Sequence, residues 1–465
     1  MNRKKIFYLL ALGLIAFISV PVFQLIKTYL NEETIENNSP KGYTNDASRL
    51  SLTKVDSIID VRSSRIEIIN QLRELLEYSV ANKIPISIAG AKHTMGGHTM
   101  YPDGIVVNMR PYKEMQIDTI TNTLTIGSGA LWEDAISYLD KFHKSVAIMQ
   151  AFSSFSIGGS ISANGHGWQK DSPPISSSVI SFTIMKYNGE IVNCSRTENQ
   201  ELFSLVIGGY GLFGIILDVK LKIVDNEALE FKNIRLKPED YIENYKKFVS
   251  DNPNVKMAFG RLRISSKLFL EEASLNFFEN IESKPLVLQP RNQKNLDSKR
   301  VVFRNSVNNE YGKRLRWDLE TGMNKISKNV VISRNELLND DVTLIENKSM
   351  NSTDILHEYF IPERNFVQYI NELKKVLPNK KIDLLNITIR GVYQDKDSFL
   401  NYAKENVFGF VFLFNQKMSK KDEEEMQKLT IELVEIAIKM EGTYYLPYRL
   451  HVDKKTFKTV YPQGE

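Results

Sequence analysis

Three short runs concentrate glycine with histidine and hydroxyl side chains, all in one half of the 465-residue chain. They are ISIAGAKHTMGGHTM (residues 86–100), SFSIGGSISANGHGWQ (154–169) and IGGYGLFGI (207–215). Glycine admits positive φ and lets backbone N–H groups approach an anion with no Cβ in the way, so such runs can cradle a phosphate or pyrophosphate. A single glycine loop is more often a plain tight turn, whereas three together argue for a large anionic ligand. Two phosphate fingerprints are missing: no GxxxxGK[ST] occurs, and no GxGxxG lies between a strand and a helix. Zinc fits poorly as well. His93 and His98 stand five apart in a loop, a third nitrogen would have to come from His166, the one nearby carboxylate is Asp103, and HExxH is absent. No metal site is expected.

The elements that must position these runs read as an α/β alternation. RIEIINQLRELLEYSVANK (65–83) carries apolar residues at helical spacing, and residues 84–88 and 104–109 read as strands on either side of the first glycine loop. A strand at 123–126, a turn through Gly127 and Gly129 and an amphipathic helix from about Leu131 follow. VISFTIMKYNGEIVNC reads as a β-hairpin with Asn188-Gly189 in a type I′ turn, and GIILDVKLKIV closes this region near Val224. Beyond Asp225 glycine becomes sparse. Amphipathic segments such as EDYIENYKKFVSD then alternate with strands, LLNITIRGVY and FGFVFLFNQ, which reads as a second, α+β domain. Residues 283–309 are polar and basic and read as a solvated connection, with a mobile loop or a membrane-surface contact as the other readings.

Composition narrows the function classes. Hydrophobic residues make up 42% and charged residues 25%, as in an ordinary folded protein. A net charge of +4 with no basic tract interleaved with aromatics speaks against nucleic acid as a partner. The single cysteine, Cys194, supports neither an internal disulfide nor a thiolate metal site, so redox chemistry would need a cofactor. At the N-terminus Arg3, Lys4 and Lys5 precede an uncharged run, residues 6–26, long enough as a helix to cross a bilayer once. It reads as an uncleaved anchor, with a cleaved signal peptide as the competing reading and no clear A-x-A site after it. The basic cluster ahead of the run favours a cytoplasmic N-terminus and an extracytoplasmic body. The expected division is an anchor (1–30), a polar linker (31–55), a first domain (56–228), a second domain (229–440) and a closing segment (441–465).

In order and spacing the three runs resemble the vanillyl-alcohol oxidase and p-cresol methylhydroxylase (PCMH-type) family of FAD-dependent oxidoreductases. GAKHT (90–94) is similar to that family's G-x-x-H-[ST] loop, SIGGSISANGHG (156–167) to its second signature and GYGLFGIILDV (209–219) to its third. The resemblance implies an α+β fold: a two-subdomain PCMH-type FAD-binding domain, then an α+β substrate (cap) domain, here behind one N-terminal transmembrane helix. It implies that FAD is held by Ala89, Gly90, Ala91, Lys92, His93, Thr94, Met95, Gly96 and Gly97. Ser156, Ile157, Gly158, Gly159, Ser162, Gly165, His166, Gly167, Gly214 and Ile215 complete that set. His93 falls where many members carry the histidine joined to the flavin 8α-methyl group, His98 reads as a loop residue near the pyrophosphate, and His166 as a residue at the flavin. A second link through cysteine, as in the berberine-bridge branch, has no counterpart, because AIMQAFSSFSIGG contains none.

The C-terminal half resembles the cap domain of the sugar, alditol and aldonolactone oxidases and of the decaprenylphosphoryl-ribose oxidase group, and GTYYLPYRLHVDKKTFKTVYPQ (442–463) is similar to their closing segment. Tyr448 stands about where the ribose oxidases have a catalytic lysine, so their substrate is not carried over. The activity implied is hydride transfer to flavin N5 from a CH–OH group of a sugar, alditol, lactone or lipid-linked substrate, with O2 or a quinone or cytochrome open as the acceptor. A flavin-dependent C=C reductase and a catalytically silent flavin-binding protein are the alternatives. On the substrate side the candidates are Arg390 in NITIRGV, Asn415 in FLFNQ, Tyr448, Arg449 and His451 in PYRLH, and Glu358 with Tyr359 in HEYF.

Overall fold

The computed structural model describes residues 19–30, 39–283, 288, 293–326 and 330–464. Residues 19–30 form a helix, α1. The first glycine run hangs from a small parallel sheet in which β3 (Ile105–Asn108) lies between β1 (Ser57–Asp60) and β2 (Ile86–Ala89). A central parallel strand is covered on both faces, which suits the continuous buried run Ile105, Val106 and Val107. Helix α2 (Arg65–Asn82) makes the crossover from β1 to β2 and packs Ile68 and Leu72 on the sheet. Ser64 caps it by accepting from the Glu67 N–H, and Lys83, at φ 56°, ends it in the left-handed region.

The second sheet holds the other two glycine runs. Its order is β8 (Ile191–Ser195), β7 (Val179–Met185), β9 (Ile215–Asp225), β5 (Thr123–Gly127) and β4 (Met115–Asp118), with β6 (Lys144–Val146) also pairing β9. Helix α3 (Trp132–Asp140) buries Trp132, Ala135, Ile136 and Leu139 against it, and the short helix α4 (Ile157–Ser162) carries the second run. The β7–β8 turn differs from the expected type I′. Only Gly189 takes positive φ (78°), and its N–H donates to the Lys186 carbonyl at 2.9 Å. This is a longer loop, a type I turn with a bulge, which needs one left-handed residue rather than two.

Between Asp225 and Ala228 the chain passes into a third sheet, antiparallel throughout, of order β13 (Val331–Ser333), β10 (Ala228–Leu236), β12 (Ala273–Asn280), β11 (Val255–Leu262), β15 (Asp383–Val392), β16 (Val407–Lys417), β14 (Ser352–Pro362) and β17 (Thr443–Tyr444). Strand periodicity sorts its two faces. Phe408, Phe410, Phe412 and Phe414 of β16, with Tyr359 and Ile387 beside them, pack under helices α7 (Phe366–Val376) and α8 (Lys420–Lys439). The alternate residues point the other way, toward the glycine loops.

Two expectations change. Within 283–309 the described residues include helix α5 (Gln293–Arg304), which leads to α6 (Glu310–Ile326), and its Val301 and Arg300 are buried, so polar composition had masked an amphipathic helix. Within the stretch read as a linker, residues 43–44 and 53–54 pair as strands and Asp46 and Ser48 are buried, because these short polar side chains satisfy local backbone groups. Among the described residues no helix is long and apolar enough to cross a membrane; of the expected transmembrane helix, residues 1–18 lie outside those described and the rest is α1. Thr28 and Gln24 of α1 hydrogen-bond to Asn305 and Asn309 between α5 and α6, while Val20, Val22, Phe23, Ile26, Tyr29 and Leu30 are exposed.

Candidate functional site

Two cavities meet behind the glycine loops. The smaller, about 70 Å³, lies between the first and second sheets, and its wall includes Ile88, His98, Ser128, Gly158, Ser162, Tyr210 and Gly214. The larger, about 350 Å³, lies between the loops and the third sheet. Gly90, Thr94, Thr99, Gly159 and Ala163 border both, so together they form one bent channel.

The small cavity is built to approach a polar ligand closely. At Gly90 a Cβ would stand 2.0 Å from Ser156 Oγ, so only glycine lets the first loop lie against the second; that hydroxyl accepts from the Ala91 N–H at 3.2 Å. Gly97 takes φ 76° and donates its N–H to Asp46 Oδ2 at 2.8 Å, which fixes the far end of the loop. Four buried wall atoms, Thr94 Oγ1, Thr99 Oγ1, Ser128 Oγ and His98 Nδ1, have no hydrogen-bond partner among the described residues. Each such orphan costs about 1–3 kcal/mol. A ligand offering phosphate oxygens and sugar hydroxyls would satisfy all four, so the residues present fit a dinucleotide.

The large cavity holds the reactive groups. His93 lies on its wall with Nε2 3.3 Å from the Ser154 carbonyl and its ring 4.1 Å from that of Phe155; burial pushes its pKa down to about 4. The ring is therefore neutral near pH 7. Because a carbonyl only accepts, Nε2 carries the hydrogen and Nδ1 the lone pair. Opposite the loops stands a buried cluster: His166 Nε2 and Glu358 Oε1 are 2.5 Å apart, and the Tyr448 hydroxyl donates to Glu358 Oε2 at 3.3 Å. Burial, then the neighbouring Glu358 charge, raise the Tyr448 pKa well above the usual phenol range, so it remains a donor. Arg390 completes the cluster, its Nη1 3.4 Å from the His166 carbonyl.

The closing segment seals the first loop. Pro447 O accepts from the Met95 N–H at 2.9 Å, Arg449 Nη1 donates to Met95 O at 3.3 Å, and a Cβ on Gly96 would stand 2.6 Å from Tyr448 O.

The candidates named from sequence separate by position. Glu358, Arg390 and Tyr448 line the large cavity with Gly90, Ala91, Lys92, His93, Thr94, Ser156, Gly159, Gly165 and His166; Gly158, Ser162 and Gly214 line the small one. Asn415, Arg449 and His451 line neither. The Asn415 amide donates to Asp354 Oδ1 at 2.7 Å, and Arg449 and His451 both reach Glu423 on α8, at 2.6 and 2.9 Å. Burial would raise the Glu423 pKa, but hydrogen bonds from His451, Gln416 and Arg449 bring it down to about 2, the behaviour of a structural ion-pair hub. Tyr359 points into the core under α7, on the face of β14 opposite Glu358. Ala89, Met95, Gly96, Gly97, Ile157, Gly167 and Ile215 shape the loops from behind and touch neither cavity.

Sequence reasoning missed Trp168, Phe259, Arg261, Phe303, Asn386 and Thr388 on the large cavity, and Thr99, Ser128 and Tyr210 on the channel. A signal existed for two of them: Asn386 and Thr388 share strand parity with Arg390, so naming the arginine implied its neighbours.

Residues 65–195 match the model of an FAD-binding domain family. The chain is 27% identical over 173 residues to cytokinin dehydrogenase 2 of Arabidopsis thaliana, covering 37% of this chain and 34% of that protein. Over 162 residues it is 31% identical to cytokinin dehydrogenase 3 of Oryza sativa subsp. japonica, covering 33% and 30%. Over 157 residues it is 25% identical to L-gulonolactone oxidase of Mus musculus, covering 34% and 36%. The chain thus spans about a third of the length of the curated relatives it matches.

Proposed function

We propose that this chain, whose residues 65–195 match an FAD-binding domain family, is an FAD-dependent oxidoreductase that oxidises the CH–OH group of a small or lipid-linked donor, and that Glu358 is the base that takes the hydroxyl proton. The observation that carries this is a buried carboxylate on the cavity wall whose two oxygens meet His166 at 2.5 Å and the Tyr448 hydroxyl at 3.3 Å. FAD, when bound, supplies the hydride acceptor. Glu358 receives the proton, His166 and Tyr448 orient its oxygens, and Arg390 offers a positive charge to the donor oxygen as that proton leaves. Phe155, Trp168, Val411 and Leu413 keep the site dry, which strengthens each of these interactions. L-gulonolactone oxidase among the relatives supports a CH–OH donor, while the cytokinin dehydrogenases mark a second donor class to be tried beside it.

Anaerobic mixing with alditols, lactones and cytokinins should bleach the flavin absorbance with a CH–OH donor; bleaching by cytokinins alone, or by NADPH alone, would refute this reading. His93 is proposed as a covalent attachment point, since its neutral ring keeps a lone pair on Nδ1 at the cavity wall. Acid-precipitated protein that remains yellow, and loses its colour in His93→Ala but not in His98→Ala, is the expected result. A membrane-anchored chain is proposed from the apolar run 6–26 and the outward apolar side chains of α1, and an extracytoplasmic body from the basic Arg3, Lys4 and Lys5 ahead of that run.

A further inference from the structure

The third sheet turns one pleated face to the large cavity, and a single row of residues can be followed across four of its strands. Glu358 on β14 pairs with Val411 on β16, Val411 with Thr388 on β15, and Thr388 with Arg261 on β11. Three strand spacings place the backbone positions of Glu358 and Arg261 about 14 Å apart.

Arg261 lines the cavity at the far end of that row. Its Nη1 donates to Asn386 Oδ1, and the same amide donates to Thr388 Oγ1 at 2.9 Å, so two side chains of β15 orient the guanidinium. Its Nε–H is buried with no partner among the described residues, and no carboxylate among them forms an ion pair with it. Nearby arginines are treated differently: Arg263 meets Glu272 at 2.6 Å and Arg304 meets Asp354 at 2.5 Å. One charge that acts on the same region is another cation. Arg316 stacks 4.9 Å over Phe303, itself on the cavity wall; burial lowers its pKa to about 10, Glu320 opposes the shift and Arg261 adds to it. A partly buried guanidinium, oriented by β15, with a buried free Nε–H and no counter-ion among the described residues suits an oxyanion, which can accept from two of its N–H groups at once.

We propose that the donor carries an anionic group, a carboxylate or a phosphate, which Arg261 binds while Glu358 faces the hydroxyl. This rests on the reading of the site as one that oxidises CH–OH. The separation along the row sets the donor's shape. A 2-hydroxy acid, whose carboxylate adjoins the carbinol carbon, cannot span it, whereas a sugar-sized donor with its anion several bonds away can.

The test is anaerobic flavin reduction by the holo-protein with glucose, glucuronate, glucose 6-phosphate and lactate, in the parent and in Arg261→Met and Arg261→Lys. At least one of glucuronate and glucose 6-phosphate should reduce the flavin with a kcat/KM tenfold or more above that of glucose, and which of the two wins identifies the anion. That ratio should fall at least tenfold in Arg261→Met and by less in Arg261→Lys, which keeps the charge without the fork. Equal rates for neutral and anionic sugars, a preference that survives Arg261→Met, or lactate as the best donor would overturn the proposal. If no hydroxyl donor reduces the flavin, the CH–OH reading fails separately, and titration with inorganic phosphate or acetate still decides the anion site. A saturable change in flavin absorbance that Arg261→Lys weakens and Arg261→Met abolishes upholds it; an unsaturable or unchanged response rejects it.

Discussion

The two walls of the large cavity are made in opposite ways. One wall is loop: the glycine runs from Gly90 and from Ser156, in which close backbone approach and hydroxyl groups shape the cavity and His93 and His166 are the large polar side chains. The other is sheet: Glu358, Thr388, Arg390 and Arg261 come from β14, β15 and β11, and regular pairing sets their spacing. The loop wall depends on absences, such as the Cβ missing at Gly90, and the sheet wall on what particular side chains add. Mutations should therefore damage them differently. Loop changes should remove cofactor, whereas sheet changes should leave cofactor in place and remove turnover.

The largest effect expected from this contrast is on the sheet side. Glu358→Gln keeps the shape and loses the base, so kcat should fall by about 10²–10⁴ with the flavin content of the purified protein unchanged. Flavin lost together with activity would mean that Glu358 serves the cofactor. Next comes Gly90→Ala, whose Cβ has no room beside Ser156 Oγ. Here flavin content should drop severalfold and thermal stability should fall by about 1–3 kcal/mol, and a fully loaded variant would show that the two loops can part without cost.

A third effect concerns the packing behind the sheet wall. His357 is buried between Tyr359 and Thr430, and burial pushes its pKa down to about 3. The unfolded chain therefore takes up this proton first. Each pH unit below about 6.5 should lower the folding constant by up to tenfold until about pH 3, and stability rises back as pH returns to neutral. Denaturant midpoints of the parent and of His357→Gln between pH 7 and 4 should converge toward acid; parallel curves would count against a neutral buried imidazole. The smallest effect is at Asn415, which secures Asp354 and not the donor. Asn415→Ala should cost about 1 kcal/mol of stability and leave kcat within twofold, and a larger kinetic loss would bring β16's far end into the site.

The same contrast explains what could be read from the sequence. Glycine runs are local: Gly90, Gly158 and Gly214 announce themselves within a few residues, and the crossover helix and strands around them follow from apolar periodicity. The sheet wall is non-local. Arg390 and Glu358 could be picked out as polar residues in apolar strands, but so could Asn415, and only the pairing partner tells a cavity residue from one that anchors a neighbour. Arg449 and His451 drew attention as polar residues of the closing segment, yet the acceptor that claims them, Glu423, sits on α8, where no sequence pattern ties the two. Arg261 was hidden because its relation to Glu358 exists only once four strands are laid side by side.

The bond from Met95 to Pro447 also sets an order of events in the cell. The first glycine loop leaves the ribosome long before the segment that seals it. At about 5–20 residues per second the loop waits roughly 20–70 s for its partner. The seal on the loop therefore forms only after every strand of the third sheet has been made, so the two walls of the cavity are joined by residues that are synthesised later than either wall.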